Sequence, residues 1–252
     1  MNNLKLTAKA FYGMGIAGLG LLHFFYQGFR PVILPIPPES TAQLNVLVYA
    51  TGAFLLATGL LIAIKKNTTT IALILALVLF LFFVCGHLPN RLTNMPGVLG
   101  VWTDALKILA LCGGALIVAN VFAATTNLSF IKSLHKISFL GRYFFGVMLL
   151  AFGIDHFLYT DFVKTLVPTW IPGDLFWTYL AGLALASAGL AFIIKFKLKT
   201  VSILTGIMLL LWLILLHIPR AVTMDTSKDP NEIVSVFECL AFSGMAFLLY
   251  FE

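Results

Sequence analysis

Apolar stretches of about twenty residues recur eight times along this 252-residue chain, near 8–27, 43–64, 70–88, 102–123, 139–160, 175–194, 200–218 and 232–250. Each is long enough to cross a hydrocarbon core of roughly 30 Å as one helix. Inside lipid only helices and closed barrels satisfy every backbone polar group, and runs of this length select helices. Composition agrees: 60% of residues are hydrophobic and 10% charged, against about 25% charged in soluble chains. Mean hydropathy is +1.01. The expectation is an all-α, polytopic membrane protein with eight transmembrane helices. The first run, Phe11 to Tyr26, has no small-residue cleavage site after it and reads as a retained span rather than a signal peptide.

Sorting the charges by loop predicts the orientation. The amino terminus and every second loop hold Lys5, Lys9, Lys65, Lys66, Lys132, Lys136, Arg142, Lys195, Lys197 and Lys199, ten cations with no acid. The alternate loops hold five cations, Arg30, Arg91, Lys164, Arg220 and Lys228, together with Glu39, Asp161, Asp174, Asp225, Asp229 and Glu232. Cytoplasmic loops collect Lys and Arg, so both termini are expected in the cytoplasm of a protein of the inner (plasma) membrane. The net charge of +6 is spread thinly rather than gathered in a basic patch. It therefore marks the lipid bilayer as partner and argues against nucleic acid.

The chain also matches itself. An offset of 133 aligns Gly13 with Gly146, Gly20 with Gly153, His23 with His156, Tyr26 with Tyr159 and Pro35 with Pro168. An offset of 130 aligns Tyr49 with Tyr179, Gly52 with Gly182, Gly59 with Gly189, His87 with His217 and Pro89 with Pro219. An offset of 131 aligns Leu109 with Leu240, Ala110 with Ala241 and Gly113 with Gly244. Chance apolar similarity matches Leu with Leu, not His, Pro and Gly in one order. The expected organisation is a first four-helix unit over 1–123, a basic cytoplasmic linker over 124–137, and a second four-helix unit over 138–252. An even number of spans per unit makes these two parallel-repeat four-helix bundles, related by an axis along the membrane normal.

Four of the five histidines obey the repeat, and all four fall at the outer ends of odd-numbered spans. His23 and His156 come late in the first span of each unit; His87 and His217 close the third, each followed two residues later by proline, which predicts that the helix stops there. His135 lies in the linker and has no mate. Tyr26 and Tyr159 follow His23 and His156 by three residues and so share their helix face. If the first and third spans are neighbours, His23 faces His87 and His156 faces His217 across an outer cavity. Asp155 charges the second cavity alone, because Leu22 takes its place in the first. A His–Tyr pair at that depth suits a quinol headgroup, a proton relay or a ligated metal or haem; imidazoles and phenols at helix ends also anchor the interface. No carboxylate or Cys cluster stands at ligand spacing, so neither metal nor haem is expected. Cys85, Cys112 and Cys239 lie inside apolar runs with no C-x-x-C and read as buried small hydrophobes.

Two further features stand out. Arg30–Pro38, with Pro31, Pro35, Pro37 and Pro38, and His156–Pro172, with Pro168 and Pro172, are punctuated against helix and sheet yet rich in Phe, Leu, Val, Ile and Trp. A hydrophobic lid folded over the outer mouth of each unit fits both properties. Lys107 and Glu238, aligned by the 131 offset and with Asp104 one turn before Lys107, fall within the fourth span of each unit. Charges there are costly alone, which predicts an ion pair between the units.

The unit resembles the DoxX-like family of four-helix membrane proteins. The resemblance rests on Gly141-Arg142 opening a helix, Gly153-Ile154-Asp155-His156-Phe157 near its end, the Pro-punctuated Val167–Pro172 stretch, the Gly182 to Gly189 helix, and the small-residue and Lys pattern of Lys107–Gly114, where the second unit has Glu238 instead of Lys. It covers both halves and implies one four-helix bundle per unit. The family takes its name from a quinone-reducing thiosulfate oxidoreductase, and other members are linked with oxidative-stress complexes. It therefore implies a quinone-linked redox subunit with a quinone as the cofactor class and a membrane-complex protein as partner. The residues fit equally a non-enzymatic lipid- or isoprenoid-binding or transport protein, or a structural subunit of an envelope complex.

Overall fold

Leu, Ile, Val, Phe and Ala fill the apolar runs without a prolyl interruption, and in the computed structural model these runs are helices. The structure describes residues 2–37, 40, 43–123, 128–226 and 230–252; Pro38, Glu39, Lys228 and Asp229, and the start of the linker, lie outside them. Eight helical segments are long and apolar enough to cross a membrane: Asn3–Phe25, Asn45–Ile64, Thr69–Thr93, Leu99–Val121, Ser129–Leu158, Asp174–Ile194, Leu198–Thr223 and Asn231–Leu249, here spans 1 to 8. No strand occurs among the described residues.

Two elements depart from the sequence expectation. Spans 3 and 7 do not stop at His87 and His217. Phe83–His87 and Leu213–His217 are π-helical, and the α-helix resumes as Leu88–Thr93 and Ile218–Thr223. The Leu88 N–H bonds to Phe83 O and the Ile218 N–H to Leu213 O, the wider π register. Pro89 and Pro219 then fall in the first turn of a restarted helix, where a missing N–H costs nothing. The expected linker is also partly ordered, with a helix at Ser129–His135 and a 3-10 turn at Ser138–Leu140 leading into Gly141–Leu158. Ile131 is buried and holds this segment down.

Burial separates inner from outer spans. Spans 1, 4 and 8 are 67%, 61% and 67% buried, whereas spans 2, 3, 6 and 7 bury 33%, 33%, 39% and 28%. Span 1 packs on spans 2 and 8, span 5 on spans 6 and 4, and spans 4 and 8 meet each other. Spans 3 and 7 pack on 4 and 8 from outside. Glycines set the closest approaches. A Cβ at Gly20 would stand 2.4 Å from Leu56 N, and one at Gly153 would stand 2.5 Å from Ala186 N, so the backbones of spans 1 and 2, and of 5 and 6, touch.

Candidate functional site

Each of the two span-end histidines is seated by a glycine on the neighbouring helix. A Cβ at Gly52 would lie 2.7 Å from His23 Cβ, and one at Gly182 would lie 2.7 Å from His156 Cβ. Each ring is oriented by its own helix: His23 Nδ1 is 2.9 Å from Leu19 O and His156 Nδ1 is 2.7 Å from Phe152 O. A carbonyl only accepts, so Nδ1 carries the proton and Nε2 presents a lone pair in the neutral ring.

In the first half that lone pair is occupied. Gly28, at φ 76°, turns the chain back over the end of span 1. The Arg30 N–H donates to His23 Nε2 at 3.5 Å, and the Phe29 ring meets the imidazole edge-on at 6.2 Å. Phe29, Val32 and Ile33 are buried in the core. The Arg30 guanidinium donates to Gln27 O and Gly28 O at 2.7 and 3.0 Å and lies over the Tyr26 ring. His87 lies beneath Val32 and Ile33, fully buried, with neither ring nitrogen in a hydrogen bond of ordinary geometry. The loop therefore fills the space where a cavity between His23 and His87 was expected.

The second half is built differently. Thr160–Val163 and Lys164–Leu166 are short helical turns rather than irregular lid, and Phe162 and Trp170 are exposed. One difference lies beside the histidine that follows: a Cβ at Gly86 would lie 2.5 Å from Leu34 Cδ2, so glycine makes room for the first loop, whereas the position at offset 130 is Leu216. His156 and His217 are half-buried. The His156 ring lies nearly parallel to Trp212, with centroids 6.3 Å apart. His217 closes the π-helical turn that Trp212 precedes, within electrostatic reach of Glu232, Lys107 and Arg220, and its Nδ1 is buried without a partner. Arg220 and Glu232 form an ion pair at 2.6 Å. In the loop itself Lys164, 2.7 Å from Asp161, holds that carboxyl below the usual range, so the pair persists until pH falls into the acid region.

Three candidates fall elsewhere. The Tyr159 hydroxyl accepts from Gly100 N–H at 3.1 Å, tying span 5 to the start of span 4, and Tyr26 sits under Arg30. Neither phenol joins its histidine. Asp155, one residue from His156, shares the helix face of Ala151 that borders an open groove of about 300 Å³ against Trp102 and Leu106 of span 4. Asp155 is buried, and neither carboxyl oxygen has a hydrogen-bond partner among the described residues. Lys107 and Glu238 are brought together where spans 4 and 8 meet: Lys107 Nζ is 3.0 Å from Glu238 Oε2 and 3.8 Å from Asp104 Oδ1. No group of acidic, His or Cys side chains that could hold a metal ion occurs among the described residues. Cys112 and Cys239 are buried and donate to Ala76 O and Leu209 O, while Cys85 is exposed.

Trp212, Arg30 and Phe29 were missed from sequence. The available signal was positional: Trp212 precedes His217 by five residues, as Phe82 precedes His87. No known family, curated protein or solved structure matches this chain.

Proposed function

We propose that this is a DoxX-like inner-membrane protein of two related four-helix units, with both termini cytoplasmic, which binds the headgroup of an isoprenoid quinone in its second unit and serves as the membrane subunit of a quinone-linked redox complex. One observation carries this reading: the His156–Trp212 pair at the end of span 5 is half-open, while its counterpart at His23 is closed by the chain's own loop. An imidazole beside an indole face suits a planar headgroup on an apolar tail. Duplication of the unit is supported by features that recur at matching positions, including the two π-helical turns, the Gly20–Gly52 and Gly153–Gly182 seams, and Cys112 bonding Ala76 O where Ser243 bonds Gly206 O.

Extraction in mild detergent, followed by absorbance and mass spectrometry of bound small molecules, tests the reading. Wild-type protein is expected to carry an isoprenoid quinone, and His156→Ala to lose it with unchanged helix content. A phospholipid held equally by both proteins would instead favour the non-enzymatic lipid-binding or transport role. A stoichiometric protein partner with no small molecule would favour the structural-subunit role.

A further inference from the structure

The hydrogen-bond polarity of the second-unit site identifies which form of the headgroup it takes. His156 Nδ1 is 2.7 Å from Phe152 O, so the ring proton is committed there and Nε2 is an acceptor. The one hydrogen bond of the ring among the described residues is that of Nδ1, and the ring is half-buried. The closed first-unit site shows what such an imidazole is matched with: the same Nδ1 bond, to Leu19 O, and a backbone N–H donor from Arg30 on Nε2, with the aromatic ring of Phe29 against its edge. The chain thus supplies its own donor to Nε2 in the first site, whereas in the second His156 keeps only the stacked Trp212 ring and no donor.

Resting on the quinone reading above, we infer that the site selects the reduced, hydroquinone headgroup, whose hydroxyl donates to His156 Nε2, over the oxidised quinone. Both oxygens of a quinone are acceptors, and an acceptor set against the Nε2 lone pair leaves that contact without a hydrogen bond, where a hydroquinone hydroxyl makes one. In a half-open site this difference corresponds to on the order of a ten- to hundredfold preference. Protonation of the imidazole turns Nε2 into a donor, so the preference shrinks as pH falls.

The test is equilibrium dialysis of the detergent-solubilised protein against the hydroquinone and quinone forms of one short-chain benzoquinone, kept anaerobic, over a series of pH values. Tighter binding of the hydroquinone at neutral pH, narrowing in acid, is expected. His156→Gln, whose amide offers both a donor and an acceptor, is expected to bind both forms with little preference. Equal affinity of the wild-type protein for the two forms, or tighter binding of the quinone, overturns the inference while leaving the quinone reading intact. Binding of neither form overturns both. The wild-type pH series stands alone should His156→Gln fail to fold.

Discussion

A buried charge that loses its partner has no water to turn to, and Glu238 is 3% exposed with Lys107 Nζ 3.0 Å from one of its oxygens. Lys107→Met is therefore expected to destabilise the protein by about 3–5 kcal/mol. Lys107→Met combined with Glu238→Met removes both charges and is expected to return close to wild-type stability. Reversible unfolding in mixed detergent micelles measures both, and a double variant as unstable as the single one would show that packing rather than charge governs the site. Gly182 makes a second residue-scale case. Any side chain there meets His156 Cβ and the Gly153 backbone, so Gly182→Ala is expected to cost about 1–3 kcal/mol and to shift His156 enough to lose the bound headgroup. Gly52→Ala meets His23 in the same way and is expected to cost similar stability without affecting the ligand. The Lys107–Glu238 partnership was legible because both residues are rare in such runs and obey one offset. Trp212 was not, because an aromatic residue within an apolar run looks like any lipid-facing side chain.

The two halves share a π-helical turn and differ in the loop that meets it. Leu34 packs on Gly86 in the turn before His87, and this packing keeps Val32 and Ile33 over the imidazole. Gly86→Leu reproduces the second unit, where Leu216 stands, and is expected to lift the loop. Modification by diethyl pyrocarbonate, read by mass spectrometry, reports it: in wild-type protein His156 and His217 react while the fully buried His23 and His87 are protected. In Gly86→Leu, His23 and His87 are expected to approach the reactivity of His156; continued protection would mean that the loop is held by Phe29 and Arg30 alone. The sequence indicated a folded-back apolar segment in each unit and was right in character for the first. It did not show that Gly86 makes room for Leu34, since that contact depends on a third span whose face is fixed only on folding. The helix continuing past His87-Leu88-Pro89 was hidden for a related reason. A proline forbids an ordinary α-register, but a five-residue π turn resets the register before it.

At the scale of the molecule the eight spans were readable from length and apolarity, but their neighbours were not. Hydropathy marks which residues avoid water, and lipid-facing and helix-facing positions are equally apolar. The first and eighth spans, and the fourth and fifth, pack against each other across the halves, so the two halves of the chain interlock rather than stand apart as separate bundles. This places both termini at one end of the bundle: Lys5 lies over the Phe122 and Phe251 rings, and Asn120 donates to Glu252 at 3.0 Å. Lys9 reaches Lys65 O at the same end. The ten cations of the sequence count belong to the amino terminus and the loops of that side, against five on the other, and in the orientation proposed above that side faces the cytoplasm. Thr126 and Ser227 fall on opposite sides in this orientation, although both lie outside the described residues. In a background where the exposed Cys85 is replaced, a membrane-impermeant thiol reagent added to intact cells is expected to label Ser227→Cys and to reach Thr126→Cys only after permeabilisation. Labelling of Thr126→Cys from outside, with Ser227→Cys protected, would invert the protein and turn the His156 site toward the cytoplasm. Its headgroup would then be exchanged with the inner leaflet.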